Sequence, residues 1–205
     1  MKFLPRKTGR IMQTFREKKL LFGFPDDWQI THYDVNANPA ANTPAGFYRR
    51  ILTSGGVKHV QAVDFICRFP GVPTKLQFVE VKDDRLDARA EGERRNQLFE
   101  AVMSKSASTL AGLIIAERLG EHLDDELLRP MACLSEQPII EVVLFWVEPP
   151  VVGSPLRRVV KKGGRTGLQQ RLTSKLHQWG LRFSLYNLAD ADRLAPDWQV
   201  SELQP

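Results

Sequence analysis

Residues Ile139–Val147, Ile-Ile-Glu-Val-Val-Leu-Phe-Trp-Val, are the most hydrophobic run of this 205-residue chain. The run reads as a central strand buried on both faces, stopped by Pro149-Pro150. Such a strand obliges the chain to supply a covering layer on each side of a sheet. Nine residues are too few to cross a bilayer, and no run of eighteen apolar residues occurs anywhere, so no membrane span is expected.

The remaining elements are read around that strand. Arg10 to Leu21 is helical in pattern, with Ile11, Met12, Phe15 and Leu20 available for burial and Gly23 and Pro25 ending it. Trp28 to Val35 and Phe47 to Leu52 read as strands, separated by a loop over Asn36 to Gly46. A long helix is expected from about Arg89 to Leu119, where Leu98, Val102, Leu110, Leu113 and Ile114 recur at helical spacing. The small residues of Ser104 to Gly112 would let it pack closely on the sheet. Glu121 to Pro138 is a charged connection with a short helix at Asp124–Leu128. Val151 to Gly164 reads as a basic loop, Thr166 to Trp179 as an amphipathic helix capped by Gly180, and Leu181 to Leu188 as a last strand. The tail after Asp190 is expected to be loosely ordered. The sum is an α/β fold, a mixed central β-sheet flanked by helices, in a single domain over 1–205. Within it lie a basic N-terminal helix (1–25), a core (58–147) and a basic helix-strand extension (149–189).

The chemistry concentrates in Val60 to Lys82. Val60 to Phe69 is β-branched and aromatic, Lys75 to Lys82 alternates, and Pro70-Gly71-Val72-Pro73 between them is a turn signal. A hairpin centred on Val72 pairs residues whose numbers sum to 144, which sets Asp64 against Glu80 with Lys82 two residues along on the same face. Facing Cβ atoms lie roughly 4.5–5.5 Å apart, and bare like charges at that distance destabilise a sheet. A divalent cation removes the objection. Mg²⁺ takes one or two carboxylates plus water and phosphate oxygens, and the Val81 carbonyl could add another oxygen. Lys82 would then stand beside the attacking water or offset charge on the phosphorane.

Asp64, Glu80 and Lys82, with fifteen residues between the two acids, resemble the motif of the PD-(D/E)xK, or restriction-endonuclease-like, nuclease superfamily. Val63 stands where the family name has proline, and Ala101 stands where the RecB-like branch has a tyrosine after its glutamine, here Gln97. The resemblance implies an αβββαβ core and a Mg²⁺- or Mn²⁺-dependent nuclease in which Asp64 and Glu80 hold the metal. It also makes Glu17, on the N-terminal helix, a candidate extra ligand.

Charge distribution agrees with a polyanionic partner. The net charge is +5, and Pro149 to Ala189 holds no Asp or Glu while carrying Arg157, Arg158, Lys161, Lys162, Arg165, Arg171, Lys175 and Arg182. Arg157, Arg158, Lys161, Lys162, Arg165 and Arg171, with Arg85 and Arg89 at the start of the long helix, are candidate phosphate contacts. The expected partner is nucleic acid, DNA before RNA, with no reader module of its own. Target choice would then come from a partner protein or from nucleic-acid structure, as in the nuclease component of a defence, repair or mobile-element system. Cutting both strands would favour a homodimer. Cys67 and Cys133 sit in apolar settings and read as core residues of a cytoplasmic protein. Two other readings stay open: a non-catalytic module gripping nucleic acid or scaffolding a complex, and an unrelated α/β protein in which the three residues never meet.

Overall fold

The computed structural model describes residues 12–35, 46–50, 60–69, 71, 74–87, 89–149, 155–193 and 198–203, with the backbone alone at 155–158, 160 and 191–193. Among the described residues, eight strands form two sheets. The larger has the order β3 (Gln29–His32), β4 (Phe65–Phe69), β5 (Lys75–Asp83), β6 (Ile139–Val147) and β7 (Arg182–Tyr186). Its first three strands are an antiparallel meander; β5, β6 and β7 are parallel. The parallel steps are bridged by α1 (Glu91–Leu119) and α2 (Pro155–His177).

β6 is buried on both faces over most of its length, as its composition requires. On one face Val142, Leu144 and Trp146 join Ile66, Leu76 and Phe78 beneath Leu98, Val102 and Leu113 of α1 and Leu168, Leu172 and Leu176 of α2. On the other, Val143, Phe145 and Val147 join Phe65, Cys67, Val79 and Val81 against the second sheet. That sheet, of order β1-β2-β8, consists of β1 (Met12–Glu17), β2 (Leu20–Pro25) and β8 (Gln199–Glu202). α1 is long and apolar enough to pass for a membrane span by composition. Here its stripe Leu98, Val102, Thr109, Leu113 and Ala116 is buried against the sheet.

Several expectations need correction. The helix expected over Arg10–Leu21 is instead the β1–β2 hairpin, turning at Lys18 with φ 55°; residues 1–11 lie outside the described residues. The reason is non-local: Phe22 and Phe24 stack against Phe65, Phe145 and Trp198, and that aromatic packing overrides a weak helical pattern. Residues 47–50 make a helical turn on Gly46, whose carbonyl accepts from the Arg49 and Arg50 N–H groups, where a strand was expected. Gly46 is pressed so closely on the Tyr33 carbonyl that a Cβ would collide.

The basic loop expected to reach Gly164 is helical from Pro155, since proline suits a first helical turn and lacks a donor to waste there. Gly164 makes room for the Arg95 guanidinium of α1, which lies where its Cβ would be. The helix ends at His177, and Gly180 at φ 75° turns the chain, leaving Trp179 45% exposed and off the apolar stripe. The tail, finally, is ordered at its end: β8 pairs with β2, and Trp198 is buried against Phe22 and Phe24. In the connection to β6, three single-turn 3-10 helices replace the short helix expected at Asp124–Leu128.

If Trp198 closes the second core, Trp198→Ala lowers unfolding free energy by about 3–5 kcal/mol in urea titrations. A loss under about 1 kcal/mol would contradict the packing described.

Candidate active site

β4 and β5 pair Phe65 with Val79, Ile66 with Phe78 and Phe69 with Lys75, so facing numbers sum to 144 as the turn chemistry requires. Asp64 lies one residue before β4, at the entry to the strand, where continuing the same register sets it opposite Glu80. Three hydrogen bonds hold that entry. The Tyr33 N–H donates to the Asp64 carbonyl (2.8 Å), the Val63 N–H donates to Thr109 Oγ1 (3.2 Å), and the Val81 N–H donates to Asp64 Oδ2 (2.6 Å). The Asp64 carboxylate thus takes over a donor that a continuing strand would have satisfied. Glu80 alternates with Phe78 and Leu76, which places it on the helix-covered face.

Both acids are withdrawn from water: Glu80 is 1% exposed and Asp64 9%. Burial first, and then the Glu80 charge, push the Asp64 carboxyl up to about 7; Lys105 and the Val81 N–H oppose them, and Glu17 adds to the rise. Lys105, on the buried stripe of α1, donates from Nζ to Glu80 Oε2 at 2.8 Å. Burial alone would lower the pKa of that ammonium, but Glu80 and Asp64 outweigh it and the net direction is upward. Glu80 Oε1 makes no hydrogen bond; the half-buried Lys82 ammonium lies 3.5 Å away.

The β1–β2 turn reaches the same place from the opposite face. Lys18 Nζ donates to the Val81 carbonyl at 3.4 Å. Glu17 Oε2 is 3.3 Å from Nε2 of His32, whose ring stacks on Phe65. Glu17 therefore sits on a strand rather than a helix, yet close enough to be felt by Asp64. Beside α1, Asp34 Oδ1 accepts from Tyr48 Oη (2.6 Å) and Arg49 Nε (2.9 Å), and burial with Asp34 drives the Tyr48 hydroxyl pKa upward.

The structure gathers Asp64, Glu80, Val81, Lys82 and Glu17. Five of the basic residues singled out in the sequence are occupied elsewhere. Arg85 pairs with Asp83 (2.7 Å) and Glu202, and Arg89 pairs with Asp87. Arg165 bridges Glu148 (3.2 Å) and Asp190 (3.1 Å), while Lys161 donates to the Pro149 carbonyl (2.6 Å). Arg171 donates to Asn96 and lies over the Phe99 ring. Lys162 is exposed; the side chains of Arg157 and Arg158 lie outside the described residues. Acids just outside the acid-free stretch, Glu148 and Asp190, fold back onto its middle. Lys105 was missed by the sequence reading. Its signal was its position, three residues after Val102 and four before Thr109, on the apolar stripe of a helix where a lysine needs a buried partner.

The donor set fits a hard cation. Two carboxylates and a backbone carbonyl are the oxygens Mg²⁺ or Mn²⁺ accepts, and the buried Glu80 Oε1 lacks any hydrogen-bond partner. Among the described residues no three His, Cys, Asp or Glu side chains cluster into a metal cage, so water and substrate oxygens would have to complete the shell.

The raised Asp64 carboxyl has a pH consequence. From its ordinary 3.8 up to about 7, the unfolded state releases a proton that the folded state keeps, so stability falls with rising pH and levels off above 7. Denaturation of the wild type and Asp64→Asn at pH 5 and pH 8 reads this directly. The wild type loses more stability than the variant over that interval; parallel losses would remove the assignment. No protein-family model, curated protein or solved structure matches this chain.

Proposed function

We propose that this chain is a Mg²⁺- or Mn²⁺-dependent nuclease with a restriction-endonuclease-like core. The observation that carries the reading is the buried, register-matched pair Asp64–Glu80 with Lys82 beside it on one sheet face. The sheet supports it too. An antiparallel meander, a helical crossover and a parallel strand are compatible with the βββαβ part of the αβββαβ order, with a hairpin in place of the first helix.

Asp64, Glu80 Oε1 and the Val81 carbonyl would hold the cation. When bound, it would acidify a water and offset charge on the phosphate. The protein's own groups do the rest. Lys82, partly open to solvent, can hold the attacking water or donate toward the charge that builds on phosphorus. Lys105 holds Glu80 Oε2 in place through a charge-paired hydrogen bond from the helix side. Substrate binding draws on the net positive charge, DNA before RNA, with a partner protein or a second copy supplying target choice.

One observation favours a second reading, a non-catalytic nucleic-acid-binding or scaffold module of the same fold. The Lys105–Glu80 pair already neutralises one acid, and Arg85, Arg89 and Arg165 among the candidate phosphate contacts are engaged by acids.

Cleavage of single- and double-stranded DNA and RNA with Mg²⁺ or Mn²⁺ separates the two. The nuclease reading expects metal-dependent cleavage that falls about 10²–10³-fold in Lys82→Ala. Retention on DNA should hold in that variant and weaken steeply with added salt. A wild type that binds but cuts no substrate in either metal supports the module and ends the enzyme reading.

A further inference from the structure

Among the described residues, Lys105 is the buried one of the three lysines around the acids, 6% exposed. We infer that Lys105 is a resident cation: it occupies the Glu80 oxygen that a second divalent ion would bridge, and so makes this a one-ion site. The inference rests on the preceding reading of Asp64 and Glu80 as cation ligands.

The geometry assigns the two Glu80 oxygens to different tasks. Oε2 receives Lys105 Nζ at 2.8 Å from the helix side, while Oε1 has no hydrogen-bond partner and lies nearer Lys82. A carboxylate that bridges two metal ions needs both oxygens free of other cations. The ammonium cannot easily withdraw. It is carried by a 29-residue helix whose next turn, through Thr109 Oγ1, is bonded to the Val63 N–H at the entry to β4. Charge works in the same direction: with Lys105 on Oε2 and Lys82 3.5 Å from Oε1, a second divalent ion would enter against positive charge already there. Lys18 on the Val81 carbonyl is different in kind: it sits at the end of a surface turn and can leave.

Counting bound Mn²⁺ by calorimetric titration and by electron paramagnetic resonance tests the inference without relying on activity. The wild type is expected to bind one ion per chain. Lys105→Met, which vacates Oε2, is expected to bind two, and Lys105→Arg, which keeps the charge, one. Should Lys105→Met fail to fold by circular dichroism, Lys105→Gln retains a donor to Glu80 without charge and is expected to bind the second ion. Two ions on the wild type, or one on both neutral variants, overturns the inference and leaves the nuclease reading standing. A wild type that takes up no Mn²⁺ at millimolar concentration overturns both.

Discussion

Two carboxylates held side by side out of water are the constraint around which this structure is arranged. Burying a carboxylate is costly, and the Glu80 charge adds to the cost of ionising Asp64. The fold answers with fixed positive partners rather than solvent. The Val81 N–H meets Asp64, the Lys105 ammonium meets Glu80, and Lys82 waits beside the free Glu80 oxygen. Replacing the pair by apolar residues would remove the repulsion but leave the buried Lys105 ammonium and the Val81 N–H without these partners, so the acids and their partners stand as one unit. A chain that buries Glu80 within β5 and Asp64 just before β4 carries a polar cluster that an apolar core would not need. Functional sites are where such violations of folding logic are expected.

The two layers over the central sheet divide the work. The helix side provides rigidity: α1 brings Lys105 and Thr109 to fixed heights above β5 and the β4 entry. The sheet side provides reach, because the β1–β2 turn passes the sheet edge and sets Glu17 and Lys18 near the acids and the Val81 carbonyl. β5 can serve both because it is covered on both faces, with Glu80 and Lys82 on one and Val81 on the other. The site thus lies where the meander, the crossover helix and the second sheet converge.

What could be read from the sequence was what local chemistry determines. Pro70-Gly71-Val72-Pro73 set the hairpin register, and a period of two in Lys75–Lys82 set the faces; together they place Asp64 against Glu80. The β6 run identified itself by lacking polar residues other than Glu141. The second sheet was illegible because it joins strands from opposite ends of the chain, β2 and β8, whose pairing is fixed by Phe22, Phe24 and Trp198 rather than by a turn. The electrostatics of α2 were misread for a similar reason. Glu148 and Asp190 lie outside the acid-free segment in sequence but against Arg165 in space. Lys105 was visible as a charge on an apolar stripe, but its partner was 25 residues away on another element.

The central claim is that residues 64 and 80 jointly hold a divalent ion. Anomalous scattering from a crystal equilibrated with Mn²⁺ addresses it most directly. A peak at about 2.0–2.2 Å from a carboxylate oxygen of each residue is the result this account requires. Density showing Asp64 and Glu80 bonded as in the metal-free chain, with the manganese signal absent from between them, would contradict it.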